Sequence, residues 1–177
     1  IIQNAKQLEK GVENGYKAKA GTQAPNFSLP DFDGNLVSLS DYKDKRFILL
    51  IFVRGDWCPY CHMILRSYMR EKEKFQSKNI MLISIGPDPV GVNREMAIKL
   101  GLDYKVLSDQ GMKVASEYGI QLPDYRNFTA TKHDEGMPLP ASFLIDTQGK
   151  VIYTSRTTKI GEFLDPKLIF PILESIE

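Results

Sequence analysis

Residues 47–62 read FILLIFVRGDWCPYCH. The first half, 47–53, is an unbroken apolar run rich in β-branched residues, the pattern of a strand covered on both faces. The second half holds both cysteines of the chain, Cys58 and Cys61, as a C-x-x-C. A buried strand that turns through 54–57 and opens a helix at or just after Cys58 predicts an α/β unit with two thiols at the turn. A thiol at a helix N-terminus faces unpaired backbone N–H groups and the positive end of the helix dipole. Its pKa is therefore expected to fall below the free value of about 8.5. Pro59 suits the first helical turn, where its missing N–H costs nothing.

Three chemistries fit two thiols so placed. The pair can be a redox dithiol, which a stabilised thiolate makes easy to open and close. With His62 the stretch spells C-x-x-C-H, a haem attachment signature. Haem would need a helical fold around the porphyrin, whereas this motif follows a buried strand. Two thiols and a histidine can also be half of a zinc site, but the other histidine, His133, lies far away in sequence. The redox reading needs neither metal nor organic cofactor. His62 is expected on the first helical turn, exposed or capping.

Outward from this centre, strands and helices alternate. Residues 63–77 form a helix by the spacing of Met63, Leu65, Tyr68, Met69 and Phe75. Residues 80–86 read as a central strand, 89–100 as a helix stopped by Gly101, 104–109 as a short strand and 110–119 as a helix. Residues 141–146 and 150–155 are strands joined through 147–149. Asp165 and Pro166 open a terminal helix as cap and first residue. Upstream, 21–31 and 34–42 are short strands around a turn at Asp33-Gly34, and 3–17 a modest helix. The expected architecture is an α/β sandwich around a mixed sheet. Residues 120–140 offer little periodicity, and loops of that length are commonly functional or disordered.

Composition narrows the function class. At 177 residues, 42% hydrophobic and 25% charged, the chain suits one globular domain. A net charge of +1 with no basic run gives no reason to expect nucleic acid or an anionic membrane as partner. The longest apolar run, 47–53, is far short of the roughly 20 residues that span a bilayer. Two cysteines in a single C-x-x-C do not cross-link a secreted scaffold, which favours the cytoplasm. The chain begins at Ile1, so an upstream signal peptide stays open.

Five blocks carry a family likeness: AGTQAPNFSLPDFDGNLVSLSDY, FVRGDWCPYC, VLSDQGMKVASEYGI, LPASFLIDTQGKV and TKIGEFLDP. In this order they resemble the alkyl hydroperoxide reductase and thiol-specific antioxidant family, in its peroxiredoxin-like branch. The resemblance implies a thioredoxin-like fold over residues 21–177, with helices on both faces of a mixed sheet and residues 1–20 as an N-terminal extension. It implies a hydroperoxide substrate, or a disulfide one, with a thioredoxin- or glutaredoxin-type thiol donor. It also allows a homodimer.

The resemblance names two different nucleophiles. Peroxiredoxins carry P-x-x-x-T-x-x-C; laid on this chain, Arg54 takes the proline, Cys58 the threonine and Cys61 the attacking cysteine. Dithiol enzymes carry W-C-x-x-C, by which Trp57 precedes the nucleophile Cys58 and Cys61 resolves. Typical peroxiredoxins also place an arginine where Pro140 stands here, so another donor must face the peroxide oxygen. Arg54 is the candidate, against a plainer role in fixing the turn through backbone carbonyls. Pro140 is an expected cis-proline beside the dithiol. Trp57 is expected in the apolar surface around the site, and Tyr60 packing over the sulfurs. A proline first in the pair suggests a potential on the order of −200 mV.

Overall fold

The computed structural model describes residues 18–122, 137–138, 141–156 and 166–176. The expected helix over 3–17, the isomer of Pro140, the cap Asp165 and His133 lie outside the described residues.

The apolar run becomes β3 (Phe47–Phe52), the middle strand of a five-stranded sheet. Parallel to it runs β4 (Ile80–Gly86), and beyond that the edge strand β5 (Lys105–Ser108). On its other side lie antiparallel β8 (Ala141–Ile145) and β9 (Val151–Arg156), so the sheet is mixed, in the order β5-β4-β3-β8-β9. Two crossovers serve the parallel pairs. One passes through α1 (Pro59–Arg70) and α2 (Lys72–Ser77), the other through α3 (Val90–Leu100). Gly101 ends α3 in the left-handed region at φ 66, as its place after the last apolar residue predicts.

Period-two alternation divides the core between the two faces. Leu49, Ile51, Leu82, Val106 and Leu144 pack under α1, α2, α3 and α5 (Ile169–Ile176). Ile48, Leu50, Ile83, Ile85 and Phe143 pack against α4 (Lys113–Glu117) and the hairpin of β1 (Ser28–Pro30) and β2 (Leu36–Ser38). Helices therefore stand on both faces, and the expected fold class holds.

The expected single helix over 63–77 is two. Glu71 leaves helical geometry at φ −98, ψ 5, between α1 and α2. The break lets Phe75 stack on Tyr68 at 6.0 Å and meet Phe170 of α5 at 4.7 Å. The strand expected over 34–42 is shorter, for a local reason. The Asp41 carboxylate accepts the Ser38 N–H at 3.0 Å, and Leu39–Tyr42 coil into a 3-10 turn.

At the ends of the aperiodic segment, β6 (Gln121–Leu122) and β7 (Met137–Pro138) pair antiparallel. The excursion thus leaves and returns across a short ladder. No helix among the described residues is long and apolar enough to cross a membrane.

Candidate active site

The parallel strands β3, β4 and β5 end along one edge of the sheet, where open α/β sheets hold their chemistry. Beyond β3 the chain turns through 54–57 into α1. Gly55 makes that turn at φ 142, and a Cβ there would stand 3.0 Å from both the Asp88 carboxylate and the Trp57 indole. Only glycine fits. Asp88, buried just beyond the end of β4, accepts the Asp56 N–H at 2.7 Å. The Asp56 carboxylate meets His62 Nε2 at 2.9 Å and Lys99 Nζ of α3 at 3.4 Å. The turn is thus tied to α1, to α3 and to the loop after β4.

Cys58 is the N-cap of α1, and its sulfur accepts the Cys61 N–H at 3.3 Å. Arg54 reaches the same sulfur, its Nη2 donating at 3.1 Å, and its own backbone N–H donates to Cys61 Sγ at 3.4 Å. Both thiols are free and buried, with Cys61 packed in the apolar cluster of Leu49, Ile51 and Val53. Their acidities diverge sharply. The Cys61 S–H donates to the Cys58 sulfur and, with the Arg54 charge and the backbone N–H of Cys61, pulls Cys58 down to about 6 against the opposing effect of burial. Burial and the adjacent Cys58 anion push Cys61 far up. The arrangement thus favours a thiolate on Cys58 and a thiol on Cys61.

Arg54 is itself buried, 2% exposed. Its guanidinium carbon lies 5.4 Å from the Trp57 ring centroid, within cation–π range. Its Nε and Nη1, like Trp57 Nε1, have no hydrogen-bond partner among the described residues. Buried donors are satisfied in the great majority of cases, so these unpaired guanidinium nitrogens beside the sulfur call for an explanation. The plainer role, bracing the turn through carbonyls, is not what the side chain does: it holds the sulfur.

Cys58, Cys61, Arg54 and Trp57, all anticipated from sequence, therefore come together. Pro59 takes the first helical position, and Tyr60 stands half exposed beside it, outside both core clusters. His62 lies on the first turn, engaged with Asp56. Asp56 and Asp88 went unrecognised in the sequence. Their signal was positional: Asp88 falls just past a central parallel strand, beside the strand that delivers the cysteines. Among the described residues, no three His, Cys, Asp or Glu side chains gather as a metal-binding group.

A model of the AhpC/TSA family matches residues 20–154. The thiol-disulfide oxidoreductase ResA of Bacillus anthracis is 31% identical over 138 residues, 77% of this chain and 69% of that protein. The chloroplastic peroxiredoxin Q of Oryza sativa subsp. japonica is 36% identical over 104 residues, 59% of this chain and 48% of that one. The crystal structure of peroxidoxin BcpB from Mycobacterium tuberculosis superposes with a TM-score of 0.77 at 23% identity, over 90% of this chain and 98% of that chain. At that identity the superposition speaks for the fold, and the fold agrees with the sequence match. On the family match over residues 20–154, the chain belongs to the AhpC/TSA family.

Proposed function

We propose that the protein is a thiol peroxidase that cycles a Cys58/Cys61 dithiol through its disulfide, with Cys58 as the attacking sulfur. The Cys58 thiolate attacks the nearer oxygen of a hydroperoxide, the O–O bond breaks, and the departing alkoxide or hydroxide takes a proton to leave as alcohol or water. Cys58 is then a sulfenic acid. The Cys61 sulfur attacks it, its proton leaves with the hydroxyl as water, and the Cys58–Cys61 disulfide forms. An external thiol donor returns the pair to the dithiol.

One observation carries the peroxide reading. Beside the Cys58 sulfur, Arg54 holds two buried N–H donors that meet no acceptor among the described residues. Charge develops on oxygen in this reaction, and fixed donors within reach of that position would lower the barrier without reorganising. Disulfide exchange is the second reading, favoured by the Trp57-Cys58-x-x-Cys61 order and the low pKa of Cys58, and in keeping with the ResA relatives. There Cys58 attacks a substrate disulfide and Cys61 releases the product.

Stopped-flow oxidation of the reduced protein by hydrogen peroxide, followed by Trp57 fluorescence, separates the two. The expected result is oxidation far faster than that of a free thiol, abolished in Cys58→Ser. In Cys61→Ser it stops at the sulfenic acid. Oxidation no faster than that of free cysteine would overturn the peroxidase reading and leave disulfide exchange.

A further inference from the structure

The exposed face of α1 beside the dithiol combines large apolar and basic side chains. Tyr60 is 50% and Met63 58% exposed, and Arg66 and Arg70 follow on the same face. At 100° per residue these four positions fall within one third of the helix circumference. Neither arginine meets a carboxylate among the described residues; Arg70 donates only to Ser67 Oγ, at 3.1 Å. From Trp57 to Arg70 the sequence carries no Asp or Glu. The face is therefore apolar beside Cys58 and purely basic beyond it, over about 15 Å from Tyr60 to Arg70.

We propose that this face is the docking surface for the protein thiol that reduces the Cys58–Cys61 disulfide, and that the partner presents acidic side chains beside its own cysteine. The inference rests on the cycle above and names its reductant by charge. Both sulfurs are buried, but Cys58 caps the helix beside the exposed Pro59 and Tyr60, so the donor sulfur approaches Cys58 from that end. The donor thiolate attacks Cys58 Sγ, the disulfide bond breaks, and its electron pair leaves on Cys61 Sγ, which takes up a proton. A second donor thiolate then attacks the donor sulfur of the mixed disulfide, Cys58 departs as thiolate, and the donor is left as a disulfide. The two electrons come from the donor dithiol. A small thiol has no use for a face this long. A second copy is disfavoured too, since a two-fold would bring four unpaired arginines together with no acid on the face to meet them.

The test uses the whole protein, oxidised by diamide so that its disulfide forms without peroxide. The probes are three single-cysteine octapeptides that differ only in flanking residues, acidic, neutral and basic, with dithiothreitol as the uncharged small thiol. At low ionic strength the acidic peptide is expected to open the disulfide about tenfold faster than the neutral one, and the basic peptide slower. The preference should collapse near 1 M salt, where the screening length is about 3 Å. Arg66→Ala with Arg70→Ala should erase it while leaving the dithiothreitol and peroxide rates unchanged.

Equal rates for the three peptides would overturn the proposal, as would a preference that survives in the double variant. So would self-association, or binding to anionic vesicles, lost in that variant without any peptide preference. Slow peroxide oxidation together with an intact acidic preference would remove the peroxidase reading and keep the docking surface. A diamide-treated protein without the disulfide would remove both.

Discussion

Replacing Arg54 with methionine separates the contact it makes with the Cys58 sulfur from the role proposed for it toward peroxide oxygen. Arg54 Nη2 donates to the Cys58 sulfur at 3.1 Å, and its Nε and Nη1 have no hydrogen-bond partner among the described residues. A hydrogen bond to a buried ion contributes about 1.5–3 kcal/mol. At 1.36 kcal/mol per pKa unit, its loss raises Cys58 from about 6 to roughly 7–8. At pH 7 the thiolate fraction then falls from about nine-tenths to between about a half and a tenth. The more basic sulfur is also more nucleophilic, by about three- to tenfold for a Brønsted slope near 0.5. The two changes nearly cancel, so alkylation by iodoacetamide at pH 7 should stay within about twofold of wild type while its pH midpoint moves up by one to two units. On the proposed peroxidase reading hydrogen peroxide behaves otherwise, because the donors proposed to meet its oxygen leave with the guanidinium. Losing one such donor typically costs about 100-fold or more. The expected outcome is a peroxide rate reduced about 100-fold beside an alkylation rate that hardly moves. Arg54→Lys, which keeps charge and one donor, should fall between. If both rates change by the same factor, Arg54 tunes only the thiolate and its role toward oxygen is refuted.

The same geometry sets the pH behaviour. Alkylation of the wild type should rise with a midpoint near pH 6, and that step should vanish in Cys58→Ser while Cys61 stays unreactive through neutral pH. The folded state binds fewer protons at Cys58 than the unfolded chain between about pH 6 and 9, so this site adds stability as pH rises through that window and loses it as pH falls toward 6. Urea midpoints should therefore climb from pH 6 to 8.5 more steeply in wild type than in Cys58→Ser. Gly55→Ala forces a Cβ into a left-handed position already crowded by Asp88 and Trp57. It should cost about 1–3 kcal/mol in urea unfolding and raise the Cys58 alkylation midpoint, since the turn carries Arg54. Phe75→Ala opens a cavity between Tyr68 and Phe170 and should cost about 3–5 kcal/mol; in calorimetry, a loss below about 1 kcal/mol would contradict the packing described for α1, α2 and α5.

Much of this was legible in the sequence because the centre of the sheet is written in long-lived patterns. The run at 47–53 announced a doubly covered strand, Gly101 announced the end of α3, and the C-x-x-C after a strand announced a helix-capping thiol. What escaped depended on contacts between distant residues. The break at Glu71 is rewarded by Phe170, about a hundred residues further on, and no window of local sequence contains both. The choice between two nucleophiles was open for a related reason. Neither alignment rule excludes the other, and the proposal of Cys58 rests on where the Arg54 side chain goes, a contact no motif spells out. Asp88 belongs to the same class: an acidic residue between two prolines reads as a loop until its carboxylate is found under the turn that bears the cysteines.

The two-residue ladder of β6 and β7 has a consequence for how this protein can be altered. It fixes Leu122 and Met137 as partners, so whatever joins them closes a loop whose ends are already held. The entropy of such a closure grows only with the logarithm of its length, about 0.6 kcal/mol per doubling. Changing the number of residues between Leu122 and Met137 therefore carries only a small closure cost.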